Sequence, residues 1–233
     1  MKRGFTLAEV LITLGIIGIV AAMTLPSLNA NWQQQQAVSG LMKAINTLEQ
    51  ANMLLLHDTN SRKLTSACNA AGNTMMKHDA YLSCVQPMLN ASISNSSATY
   101  YSYRGPAKPA RSLVMMITRD GISYWGDTWS SLNNNNIYLN LAVDINGPNK
   151  GPNMDAKDVF LLSISQTTGK VYAGGSDAFV KEFRGPNVDL ESSPNSWRNG
   201  SCTRNSVRAG GGRTGGYCAG SIVDNGGRVI YPW

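Results

Sequence analysis

Residues 1–28 read Met1-Lys2-Arg3-Gly4-Phe5-Thr6-Leu7-Ala8-Glu9-Val10-Leu11-Ile12-Thr13-Leu14-Gly15-Ile16-Ile17-Gly18-Ile19-Val20-Ala21-Ala22-Met23-Thr24-Leu25-Pro26-Ser27-Leu28. From Val10 onward only Thr, Gly, Pro26 and Ser27 break the apolar run. As a helix, Phe5 to Leu28 would extend about 36 Å at 1.5 Å per residue, enough for the hydrocarbon core of a bilayer. Lys2 and Arg3 precede it with no comparable cluster just after it. The positive-inside bias therefore keeps the N-terminus in the cytoplasm and exports the rest of the chain.

A basic start, an apolar run and small residues at Val20 and Ala22 also fit a secretory signal cut before Met23. Glu9 argues against that reading. A carboxylate in such a segment costs up to ~3 kcal/mol at mid-membrane and less near its end, and a disposable segment gains nothing from it. Glu9 asks for a partner.

Lys-Arg-Gly, then Phe-Thr-Leu-Ala-Glu, then an apolar helix, resembles the prepilin cleavage and methylation segment of type IV pilins and type II secretion pseudopilins. The resemblance implies that prepilin peptidase cuts between Gly4 and Phe5 and methylates the new amine of Phe5. Glu9 would then meet the Phe5 ammonium of a neighbouring subunit. An ammonium and a carboxylate left single in lipid are both costly, and pairing removes most of that cost. The implied partners are prepilin peptidase, other pilin subunits and an inner-membrane assembly platform. Pro26 would break a soluble helix, but membrane helices tolerate it, and the family often has one here.

The chain has 233 residues, room for one membrane helix and one globular head. Only 15% of residues are charged, a deficit concentrated in the first forty. The net charge is +6; loss of Lys2 and Arg3 leaves 18 basic against 14 acidic residues. That is a weak pull on any anionic partner.

Beyond the anchor, Leu41, Met42, Ile45, Leu48, Asn52 and Leu55 recur at spacings of three and four. One helix is expected to continue to about His57 and lay this stripe on the head, with Asn52 the polar intruder. Residues 58–111 are the hardest to read, rich in Ser, Asn and Ala, with one short helix expected around Met75 to Leu89. From Ser112 come β-like runs at Leu113–Thr118, Ile122–Trp125, Ile137–Ile145, Val159–Ser165 and Lys170–Ala173, with turn signals at Asp120-Gly121 and Thr168-Gly169. The fold class is α+β: a long N-terminal helix, half transmembrane and half amphipathic, packed on an antiparallel meander. That is also the fold the resemblance implies. The expected division is a leader at 1–4, a transmembrane helix at 5–28, its amphipathic continuation at 29–57 and a head at 58–233.

Three weaker features extend the resemblance towards the C-terminus. They are the Arg119-Asp120-Gly121 turn, the stretch from Val143 to Phe160, and the ending Tyr217-Cys218 with Tyr231-Pro232-Trp233.

Cys68, Cys84, Cys202 and Cys218 form two pairs of equal spacing, neither with C-x-x-C metal or redox geometry. An exported head makes structural disulfides the expectation, each worth roughly 3 kcal/mol. Three connectivities are open; the local pairs 68 with 84 and 202 with 218 are favoured.

The loop from Asp144 to Asp158 offers calcium-type oxygen donors, with Asp144, Asn146, Asp155 and Asp158 as candidates beside Asn149 and Asn153. Its spacing is not that of an EF-hand, and some pseudopilins hold calcium in a head loop. Asx and Gly-Pro residues also make rigid turns by bonding their own backbone, the expected role here. No metal and no cofactor is expected. Ala156 stands where related loops commonly have Gly.

Arg198, Arg204, Arg208, Arg213 and Arg228, with Trp197 and Tyr217, form a basic aromatic region that could touch nucleic acid; solvated surface arginines are the expected reading. His57 and His78 are each followed by Asp but accompany no nucleophile elbow or phosphate loop. No enzyme is expected. The function implied is a structural filament subunit, with a secretion pseudopilin or a ligand-binding tip pilin as alternatives.

Overall fold

The computed structural model describes residues 6–68, 76–101, 107–133, 136–193, 196–198, 202, 216–231 and 233. Helix α1 (Leu7–Asp58) is continuous through Pro26 over 52 residues, about 78 Å at the standard rise. After it come α2 (Leu64–Ala67), α3 (His78–Leu89), β1 (Ser92–Tyr101), β2 (Ala107–Ile117), β3 (Ser123–Asn133), β4 (Asn136–Asp144), β5 (Val159–Ser165), β6 (Val171–Ala173), α4 (Asp177–Arg184) and α5 (Cys218–Asp224). The strands form one sheet in the order β1-β2-β3-β4-β5-β6, with every neighbouring pair antiparallel. The architecture is the α+β, pilin-like one expected: a long helix on a meander.

Period-two alternation sorts the strand residues. Leu139, Leu141 and Val143 of β4, with Phe160, Leu162 and Ile164 of β5, pack against Leu41, Ala44, Leu48 and Leu55 of α1. The opposite face carries Tyr138 and Tyr172 against Phe179 and Val180 of α4, with Tyr138 meeting Phe179 edge to face at 5.7 Å. Strand β5 is buried at all seven positions. Both faces of the sheet are therefore covered there, which explains a strand without polar alternation.

Asn52, fully buried on the α1 stripe, donates from Nδ2 to the Gly169 carbonyl at 2.8 Å and accepts from the Tyr81 hydroxyl on Oδ1 at 2.7 Å. The intruder thus ties α1 to α3 and to the β5–β6 turn. Gly169 has φ +75, and a Cβ there would come within 3.2 Å of the Asn52 Cβ and Leu56 Cδ1. Any other residue would be strained and would press on the clamp. Gln166, also buried, accepts on its carbonyl from the Thr65 amide at 3.1 Å and on Oε1 from the Met76 amide at 2.9 Å. One hairpin turn therefore organises the segment after α1.

Two sequence expectations are revised. Strand β1 lies inside the stretch hardest to read, and β2 begins at Ala107, ahead of Ser112. Ser92 to Ser97 pair in register with Ile117 to Ser112, yet carry no apolar alternation to announce a strand. Their pairing comes from the β2 edge. Helices α4 and α5 also fall outside the elements expected. Each has fewer than nine residues, too short for a helical period to stand out. Gly220 of α5 explains its close seat: a Cβ there would lie 2.3 Å from the Ser176 amide nitrogen.

Candidate assembly site

Thr6 caps α1 with extended φ −77 and ψ 151. Its hydroxyl oxygen accepts from the Glu9 amide at 3.3 Å, while Glu9 Oε2 accepts from the Thr6 amide at 2.8 Å and the Thr6 hydroxyl at 2.7 Å. This is a reciprocal capping box, satisfying helix-start donors that have no intrahelical partner. The pattern Thr6-x-x-Glu9 carries that signal in the sequence, beside the need for an external partner that the lone carboxylate suggests. Gly4 and Phe5 lie outside the described residues.

Beyond the cap, Leu7, Leu11, Ile12, Leu14, Ile16, Ile17, Ile19 and Val20 are all more than half exposed. The most apolar window has mean hydropathy 2.2 and buries nothing against the head. Its polar side chains turn inward on their own backbone: Thr13 donates to the Val10 carbonyl and Thr24 to the Val20 carbonyl, each at 3.0 Å. Such back-bonding removes the hydroxyls from the need for water. The first α1 residue buried in the head is Ala37.

In the head, Cys68 bonds Cys84 and Cys202 bonds Cys218, with Cα separations of 5.6 and 5.3 Å, within the ordinary range for disulfides. The first joins the end of α2 to α3. The second fastens α5 to the preceding chain.

Of the four calcium candidates, Asp144, Asn146 and Asp158 lie together, and the two carboxylates accept from backbone amides. Asp158 accepts from the Met154 amide on Oδ1 at 2.6 Å and from the Asn153 amide on Oδ2 at 2.8 Å. Asp144 Oδ1 accepts from the amides of Asn146 and Gly147 at 3.1 and 2.9 Å. Asn146 Nδ2 reaches Asp158 Oδ2 at 3.4 Å, and Asp155 bridges to Val159. Among the described residues, no group of three or more His, Cys, Asp or Glu side chains is placed to hold a metal ion. Burial and the nearby Asp158 carboxylate push Asp144 up to about 7, outweighing the two amides and the Tyr100 hydroxyl, which act the other way. Burial raises Asp158 as well. Ala156, fully buried, adopts φ +72, and its carbonyl accepts from the Tyr231 hydroxyl at 2.7 Å. An alanine thus occupies a conformation that favours glycine.

The basic region separates. Arg198 Nε and Nη2 donate to the two oxygens of Asp177 at 3.0 and 2.9 Å, and its guanidinium stacks 4.7 Å from the Trp197 ring. The Trp197 indole donates to Asp224 Oδ2 at 2.7 Å. These groups clamp α4 to α5. Arg228 is exposed, and Arg204, Arg208 and Arg213 lie outside the described residues. His57 Nδ1 stands 3.2 Å from Asp58 Oδ1 at the exposed end of α1, while His78 starts α3.

Residues 1–25 match the family described as the prokaryotic N-terminal methylation motif, the signature of type IV pilins and pseudopilins. That motif marks prepilin-type processing. No curated protein and no solved structure matches the chain.

Proposed function

We propose that the chain is a structural subunit of a type IV pilus-like filament. In this reading residues 1–4 are a leader removed by prepilin peptidase, which cuts after Gly4 and methylates the Phe5 amine. Residues 5–28 hold the subunit in the cytoplasmic membrane and then form its contact with other subunits. Residues 29–57 carry that helix into the head, and residues 58–233 form a head outside the cytoplasm. An inner-membrane platform draws the subunit into the filament.

The observation that carries the reading is Glu9, a lone carboxylate one turn into an exposed apolar helix, inside the matched methylation segment. The capping box refines its role. In the unassembled subunit Thr6 already shields the carboxylate, so the neighbour's Phe5 ammonium adds a charge partner to a group held at the helix start. Exchange of partners costs less than extraction of a bare charge from lipid.

Mass spectrometry of the N-terminal peptide from native membranes tests the processing. A peptide beginning at Phe5 with one added methyl group is expected; one beginning near Met23 would overturn the proposal. Recovery in sheared surface filaments would then favour a pilus, and loss of protein secretion without surface fibres a secretion pseudopilus.

A further inference from the structure

Between the apolar span and the head, residues 29–36 read Asn-Ala-Asn-Trp-Gln-Gln-Gln-Gln. Trp32 is the one large apolar side chain in that segment, and it is 59% exposed. Among the described residues no head packing accounts for it, because burial of α1 begins at Ala37. Trp32 instead continues the face below it: Leu25, Pro26, Leu28, Asn29 and Trp32 line one shallow notch on the helix.

The helix rise fixes the level of the indole. Leu7 to Leu28 spans about 33 Å, the hydrocarbon thickness of a bilayer, and Trp32 stands about 6 Å further along. That places it in the headgroup layer on the head side. An indole suits that layer because its ring is apolar and its N–H seeks a hydrogen-bond acceptor. The uncharged glutamines after it are easily hydrated.

We infer that Trp32 is a membrane-depth anchor, docking in the phospholipid headgroup layer and setting the height at which the subunit waits before assembly. The occupant of the notch is lipid, in continuity with the apolar span. The inference rests on the membrane-anchored reading above.

The test uses the full chain in phosphatidylcholine vesicles. The emission difference between wild type and Trp32→Phe isolates this indole from the other tryptophans. Lipids brominated near the glycerol end of their chains should quench that difference signal strongly, and lipids brominated near the methyl end or aqueous iodide only weakly. Dominant quenching by iodide or by methyl-end bromine, or a signal insensitive to both bromolipids, overturns the anchor. Failure of the chain to float with vesicles would overturn the membrane reading itself, so the two failures are distinct. A second readout uses the absence of free cysteine among the described residues. Single Asn29→Cys, Gln33→Cys and Gln36→Cys labels should show a boundary to an impermeant maleimide that moves by about one helical turn in Trp32→Gln. An unmoved boundary would deny Trp32 control of depth.

Discussion

Glu9 and Asn52 are polar side chains set into apolar stretches of the same helix, and they are satisfied in opposite ways. Glu9 finds its partner three residues away, in Thr6. Asn52 finds its partners 29 and 117 residues away, in Tyr81 and Gly169. Among the described residues the apolar half of α1 buries nothing against the head, so the chain beside it is what shields a charge there. The inner half lies under a sheet and two other helices, so a buried amide can be used to fix how those elements meet. In the proposed reading one half awaits a partner, while the other is already paired.

The largest effect is expected at Glu9. Glu9→Ala should leave membrane insertion and head melting unchanged while reducing incorporation into filaments at least about tenfold, as loss of a charge pair in lipid implies. Incorporation at the wild-type level, measured in sheared filament fractions, would refute the role given to Glu9. Asn52→Leu should do the reverse. It leaves the Tyr81 hydroxyl and the Gly169 carbonyl buried without Asn52, a loss of about 3 kcal/mol from two such groups. Denaturant unfolding of the full chain in detergent should show that loss, with N-terminal processing intact.

Asp144 sharpens the contrast by adding a buried acid. Its pKa is raised on folding to about 7, so the folded head binds a proton that the unfolded chain has released. The favourable contribution is complete below the unfolded carboxylate range and fades as pH rises through about 7. Asp144→Asn keeps an oxygen for the Asn146 and Gly147 amides and removes the titration. At pH 8 the variant should be the more stable, and the difference should vanish near pH 4. A wild-type melting temperature that does not respond more steeply to pH than the variant's would contradict this.

The smallest effect is expected at Ala156. Glycine there would relieve about 1–2 kcal/mol of left-handed strain but lose about 0.8 kcal/mol of methyl burial. The net gain should be about 0.5 kcal/mol, and a clear loss in thermal melting would mean that the alanine methyl packs better than its backbone suffers.

Much of this is legible before folding. The anchor shows as an apolar run with one acid, and the inner stripe as Leu41, Leu48 and Leu55 in helical period. Strand β5 runs over Val159–Ser165, the bounds expected of it. The Asp144 to Asp158 loop reads as a backbone-bonded turn, and Asp144 and Asp158 each accept from two backbone amides. Strand β1 escapes because its first half is nearly all Ser and Asn, and such residues become a strand only when a neighbour offers its edge. Arg198 reads as one more surface arginine because nothing local says that Asp177, 21 residues away, will reach it.

The sequence by itself determined the apolar span, the single long helix and the run of most strands. Each depends on neighbours within a few residues, where the helical and strand periods fix which side chains meet. Only the tertiary structure decided that Asn52 joins three elements, that Arg198 is a clamp, and that burial raises the Asp144 carboxyl. Those outcomes depend on which distant groups arrive and how much water they displace, and desolvation is a property of the packed head rather than of any stretch of chain.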